Sequence, residues 1–209
     1  MECIQAGPLK QSGKKPDCLL IVTILNGVYK VNTNMDIGTL MVPQILHKVI
    51  HGRPDPEPWQ KALLKFQPAV LHGYRRHRVR WADYPGIIPD SETVSGPGPS
   101  SVLGILVSGL TDGDIYRLDR FEGDEYELRS VKTRLLQDSP KTNGPGASTD
   151  SHLRDVLNAA GSEVADEGEE DINAMAYVYT AGEEQLEDVE WDFESFKKDK
   201  MAWWIEQES

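Results

Sequence analysis

Apolar and polar positions alternate along most of the chain in short runs, which predicts strands joined by turns with a few helices between them. The run from Leu19 to Leu25 is rich in β-branched residues, and Asn26-Gly27 separates it from Val28 to Val31, so a hairpin with a primed turn is expected. Pro43 to Ile50 places Leu46, Val49 and Ile50 on one side of a short helix, with Pro43 suited to its first turn. Prolines 54, 56 and 58 stop that helix. A short helical stretch is expected from Trp59 to Phe66, and Ala69 to Arg80 alternates as a strand whose solvated face carries arginines.

Val102 to Leu110 is the strongest strand signal, set off by the Gly-Pro-rich loop from Gly96 to Pro99. Thr111-Asp112-Gly113-Asp114 supplies a turn or a helix cap before Ile115 to Leu118, and Glu127 to Leu136 reads as the next strand. From about 139 to 171 the chain turns rich in Ser, Gly, Asp and Glu. A mobile insertion is expected there, interrupted by a helix from Leu153 to Ala160. Order returns with a strand from Ala174 to Tyr179 and a helix from Glu190 to Ile205, where Phe193, Phe196, Met201 and Trp204 recur at helical spacing.

Composition narrows the function classes. At 209 residues with 39% hydrophobic content, one domain with additional segments is expected. A net charge of -12 repels nucleic acid and anionic membranes alike, so neither is an expected partner. Thirteen acidic residues and no Lys or Arg fall between Ser162 and Glu194. Cys3 and Cys18 form no disulfide framework, so a cytoplasmic setting is expected. The apolar run near the start is too short to span a bilayer, and no small-residue cleavage pattern follows it. Neither heptads nor internal repeats point to an oligomeric state.

Few residues carry chemistry. His47 and His51 lie four apart on the predicted helix but lack a third ligand, so two exposed histidines and no metal are expected. Arg75-Arg76-His77-Arg78 lacks interleaved aromatics and reads as a polar surface. Neither a glycine-rich phosphate cradle nor a Gly-x-Ser-x-Gly elbow occurs. Two stretches remain: Ile37-Gly38-Thr39-Leu40-Met41, and Leu118-Asp119-Arg120-Phe121-Glu122-Gly123-Asp124-Glu125-Tyr126 with Arg129 and Val131 behind it. From the residues alone, Gly38 is either a turn glycine or a site of close approach. Glu122 is either a surface carboxylate or a proton acceptor.

The Gly-Thr-Leu-Met turn, the segment Tyr84-Pro85-Gly86-Ile87 and the later Leu-Asp-x-Phe-Glu-Gly resemble, in order and spacing, the AIG2-like branch of the gamma-glutamylcyclotransferase-like family. Ala176-Tyr177-Val178-Tyr179 and Glu190-Trp191-Asp192-Phe193 resemble the C-terminal part of its fungal members. The resemblance implies an α+β domain over residues 37–206, built on a mixed β-barrel with flanking helices. Residues 1–36 would form an atypical N-terminal segment ahead of it. It also implies a cofactor-free reaction on a small gamma-glutamyl substrate, whose α-amino group attacks its own side-chain amide to give 5-oxoproline and an amine. Glu122 would accept the proton, and Ile37, Gly38, Thr39, Leu40, Met41 and Val42 would form the substrate-binding turn. The family's tyrosine position is Ile37 here, and the residues before it, Asn32 to Asp36, are polar. Either the upstream hairpin replaces the first strand or that strand is malformed and the pocket incomplete. The competing expectations are a binding protein of the same fold without turnover, and a different acid–base reaction on another small molecule.

Overall fold

The computed structural model describes residues 32–90, 100–136 and 167–206. The expected hairpin at Leu19 to Val31 and the helix at Leu153 to Ala160 lie outside these residues, as does most of the expected insertion.

Five strands close a barrel in the order β1 (Asn32–Asp36), β5 (Ser101–Leu110), β2 (Lys65–His72), β6 (Tyr126–Leu135) and β7 (Ile172–Tyr179). Neighbours are antiparallel except at the closing seam, where β1 runs parallel to β7 with Asn34 opposite Met175. β3 (Tyr74–Arg78) and β4 (Pro85–Pro89) form a separate two-stranded sheet. Alternation along the strands divides the core in two. Met35, Ala69, Leu71, Val102, Leu106, Val131, Ala174, Ala176 and Val178 belong to one buried cluster, which fills the barrel. Ile105 and Val107 point the other way, into a second cluster under the helices. With both faces buried, β5 is apolar along most of its length, which is why it was the clearest strand in the sequence.

Three helical regions cover the outer face. α1 (Pro43–His51) starts with Pro at its first position and ends at Gly52, whose φ of 74° lets its N–H reach the Lys48 carbonyl at 2.8 Å. Ile45, Leu46 and Ile50 are its buried face. α3 (Asp112–Glu122) opens with a reciprocal cap: the Asp114 N–H donates to Thr111 Oγ1 at 3.2 Å, and the Thr111 N–H donates to Asp114 Oδ2 at 2.9 Å. Leu118, fully buried, docks α3; burying a leucine contributes about 2 kcal/mol. α4 (Phe193–Asp199) and α5 (Met201–Glu206) add the aromatic contacts of Phe196 with Trp191 and Trp204.

Several expectations are corrected. Asn32 to Asp36 is a strand despite its polarity, because its backbone pairs with β5 along its whole length. The stretch from Trp59 to Phe66 contains only the short helix α2 (Pro58–Lys61), and Lys65 already belongs to β2. Ala69 to Arg80 is two strands broken at Gly73, whose φ of 76° turns the chain. The final helix is likewise two, interrupted at Lys200.

The arginine face is not simply solvated. Arg76 has a side chain only 11% exposed, sits 5.6 Å from the Trp191 ring centroid and pairs with Glu190 at 3.1 Å. Arg75 pairs with Asp90. His47, expected on the surface, is buried, stacked on His51 and edge-on to Phe66. No helix among the described residues is long and apolar enough to cross a membrane.

Candidate active site

One cleft, of about 420 Å³ including its open mouth, lies where the end of β1 turns beneath α3. Its floor is Asp36 and Ile37 followed by Gly38, Thr39 and Leu40; Pro85 and Ile87 of β4 form one wall, and Glu122, Tyr126 and Tyr177 another. A Cβ on Gly38 would stand 3.1 Å from Pro85 Cγ, so glycine lets the turn press against β4. The chain then winds into a single 3-10 turn, with the Met41 N–H on the Gly38 carbonyl at 3.1 Å and the Val42 N–H on that of Thr39 at 3.2 Å. The earlier N–H groups of the turn stand outside this ladder. Arg76 braces the turn through an Nη1 contact of 3.4 Å to the Ile37 carbonyl.

The structure brings Ile37, Gly38, Thr39, Leu40 and Glu122 together. Met41 and Val42 are not part of the cleft wall; they are buried in the helical core with Ile45 and Leu46. Glu122 occupies the last position of α3, and Gly123, with a φ of 71°, follows it and ends the helix. Desolvation alone pushes its carboxyl up to about 8, well above the ordinary 4.5 of glutamate. Four groups around the cleft carried no role in the sequence reading. Tyr126 donates to the Pro85 carbonyl at 2.8 Å and Tyr177 to Asp119 at 2.7 Å. Burial, reinforced by the carboxylates nearby, raises both phenols and keeps them protonated. Tyr84 donates to Glu125 at 2.8 Å, and burial followed by that bond raises it to about 12.

The fourth group is Asp36, whose residue is 3% exposed. Burial first, then the charge of Glu122, pushes its carboxyl well up, while the amide of Asn34 opposes the shift. Tyr126 and Tyr177 were visible as part of the motifs that carried the resemblance, whereas only its place two residues before Gly38 could have drawn attention to Asp36. No group of three or more His, Cys, Asp or Glu converges as a metal site among the described residues. The cleft thus holds two elevated carboxyls and three phenols, and no Lys or Arg lines it among the described residues. Such a set can accept and return protons near neutrality and can donate hydrogen bonds to oxygen atoms.

The chain is similar to several known proteins. AIG2-like protein C of Arabidopsis thaliana is 31% identical over 104 residues, which cover 50% of this chain and 51% of that protein. Protein AIG2 C of the same plant is 33% identical over 75 residues, covering 35% and 41% respectively. The chain therefore spans about half the length of the curated relatives it matches. A solution structure of an Arabidopsis thaliana protein superposes with a TM-score of 0.48 at 18% identity, covering 88% of this chain and 82% of that one. The profile of the family described as "Gamma-glutamyl cyclotransferase, AIG2-like" matches residues 38–147, more than half of the chain and inclusive of Gly38 and Glu122, and the chain belongs to that family.

Proposed function

We propose that the protein is a gamma-glutamylcyclotransferase that cyclises a gamma-glutamyl amide to 5-oxoproline and releases an amine. The observation that carries this reading is the desolvated carboxyl of Glu122 facing the Gly38 turn across a cleft without a lining cation. The substrate's α-ammonium gives one proton to the Glu122 carboxylate. The freed amine attacks the side-chain carbonyl carbon, and the carbonyl oxygen gains the negative charge. The bond to the leaving nitrogen then breaks as Glu122 returns its proton to that nitrogen, and the ring nitrogen gives up its second proton to the released amine, so that 5-oxoproline and an ammonium product leave. A base near pH 8 is matched to an ammonium of similar acidity, so neither transfer is steeply uphill. Backbone N–H groups of the Ile37 to Leu40 turn support the oxyanion or the substrate carboxylate. Holding the chain folded for ring closure contributes about 7 kcal/mol or more in favourable cases. No cofactor enters this scheme.

The fungal-type placement within the family rests on the Ala176 to Tyr179 strand and the Glu190 to Phe193 motif. A cytoplasmic setting goes with a small-molecule substrate and two cysteines confined to the first eighteen residues. A second reading, a binding protein of this fold without turnover, is favoured by one observation: Ile37 stands in the family's tyrosine position, buried at the cleft floor.

One assay separates the two. The purified protein is incubated with a panel of gamma-glutamyl amines and peptides, and 5-oxoproline is measured. Turnover is expected, with kcat/KM climbing toward about pH 8 as Glu122 loses its proton and falling again as the free substrate loses its ammonium proton. Glu122→Gln keeps the size of the side chain and is expected to lower turnover by about 100-fold or more. Glu127→Gln, at an exposed side chain paired with Arg129, is the control and leaves the rate near normal. Full activity in folded Glu122→Gln would remove Glu122 as the base. No 5-oxoproline from any compound would favour the binding reading.

A further inference from the structure

Asp36 is a buried acid in the same cleft as the proposed base, and nothing in the proposed reaction uses it. Its neighbours on β1 show which way it points. Met35 belongs to the cluster that fills the barrel, so Asn34 and Asp36 lie on the opposite face, toward the helices. The parallel pairing of Asn34 with Met175 puts Asp36, two residues on, alongside Tyr177, whose hydroxyl reaches Asp119 of α3. The titratable and charged groups around Asp36 are therefore Glu122 on α3, Tyr177 on β7 with its acceptor Asp119, and Arg76, which contacts the backbone at Ile37 and is engaged with Glu190. No cation pairs with Asp36 among the described residues.

Two carboxyl groups in one desolvated cleft cannot both be ionised at modest cost. Glu122 stands part-exposed at the mouth, whereas Asp36 is fully enclosed, so the retained proton belongs on Asp36. The hydrogen bonds assign it to one oxygen. Asn34 Nδ2 donates to Asp36 Oδ1 at 2.7 Å, which makes Oδ1 the carbonyl-like atom. Oδ2 is buried and has no hydrogen-bond partner among the described residues. A buried hydroxyl without an acceptor is costly unless a ligand supplies one.

We propose that Asp36 serves as a neutral carboxylic acid whose Oδ2 hydroxyl donates a hydrogen bond to an oxygen of the substrate while Glu122 moves the proton. This rests on the cyclotransferase reading and deepens it: the site recognises substrate oxygen through a neutral acid where its lining offers no Lys or Arg. The opposite assignment, an Asp36 carboxylate holding the substrate's ammonium, makes a different prediction for the amide variant.

The experiment has two arms. In the first, the infrared carbonyl stretch of protonated carboxylic acids is followed in the full-length protein from pH 5 to pH 9 without substrate. A band persisting at pH 9, where Glu122 is ionised, and present in Glu122→Gln but absent from Asp36→Asn, is expected. Loss of every such band by pH 9 in the wild type would overturn the proposal, whatever the protein turns out to catalyse. In the second arm, kcat and KM are measured on the best gamma-glutamyl substrate. Asp36→Asn retains an N–H donor without charge and is expected to keep kcat/KM within about threefold of wild type. Asp36→Leu lacks a donor and is expected to lose about 100-fold. Equal losses in both variants, or none in folded Asp36→Leu, would overturn it. A wild type without turnover would sink the cyclotransferase reading alone, because the infrared arm still decides the state of Asp36.

Discussion

The two faces of β1 are built from alternate residues of one five-residue strand and follow opposite rules. Toward the barrel interior, Met35 joins an all-apolar cluster with Leu71, Val102 and Val178. Toward the helices, Asn34 and Asp36 are just as completely buried, yet each retains a polar oxygen with no partner among the described residues. The inner face gains stability by excluding water. The outer face gives some of that up, since an unsatisfied buried polar atom costs about 1–3 kcal/mol. Such a cost beside an uncompensated glutamate fits the proposal that those groups are kept for a ligand. Fold and site therefore separate by strand face rather than by segment.

The sharpest way to break the inner side is Gly104→Ala. The added Cβ would stand 2.4 Å from the backbone carbonyl oxygen of Asp36 and 2.8 Å from Met35 Cε. A side chain can yield, but a paired backbone cannot. A loss of about 3 kcal/mol is expected in urea unfolding, the upper range for overpacking. A loss below 1 kcal/mol would show that β1 and β5 are not tightly seated.

The outer side answers to pH. The folded protein keeps the Glu122 proton up to about pH 8, whereas the unfolded chain loses it near 4.5. Between these values the folded state binds more protons, so stability falls as pH rises. The ceiling for that shift is about 5 kcal/mol. Solvent at the open mouth screens it, and about 2 kcal/mol is the expected difference between pH 5 and pH 9. Glu122→Gln should flatten the curve by that amount; parallel curves for the two proteins would mean that the carboxyl is not desolvated.

The same division explains what could be read from the sequence. β5 and the buried face of α1 announce themselves because apolar periodicity reports burial directly. Thr111 to Asp114 was visible as a turn or cap and proved to be the capping box of α3. Glu122 and the Gly38 turn were found through motif order. β1 was missed as a barrel strand because Asn32-Thr33-Asn34-Met35-Asp36 gives no apolar alternation; its pairing is a property of the backbone, and its neighbours β5 and β7 are far away in sequence. Asp36 was missed for the same reason. The burial of Arg76 was equally invisible, since it depends on Trp191 and Glu190, more than a hundred residues later.

A milder change tests whether α3 acts as support or as site. Thr111→Ala removes the side-chain half of the cap at the end of α3 farthest from Glu122. About 1 kcal/mol of stability is expected to go, measured by urea unfolding. Because Leu118 still docks the last turns, kcat/KM should stay within about twofold of wild type. A large fall in rate at full stability would mean that the whole helix, and not only its last turn, positions the base.

The smallest expected change in stability comes from Asn34→Leu, and it speaks most directly to why polar atoms line the outer face. Asn34 contributes one hydrogen bond, to Asp36, and one buried carbonyl oxygen without a partner. Leucine of similar volume deletes both, and the two effects oppose each other. If Asp36 is a neutral acid, losing the Asn34 donor costs little and the net change stays within about 1 kcal/mol. If Asp36 is ionised, its side-chain hydrogen bond from Asn34 vanishes while a charge remains buried, and a cost of about 3 kcal/mol follows. Urea unfolding at pH 7 distinguishes these values. With stability preserved, kcat/KM should still fall, because the Asn34 amide no longer fixes the orientation of the Asp36 carboxyl, and a fall in rate without a fall in stability is the mark of a residue kept for the site.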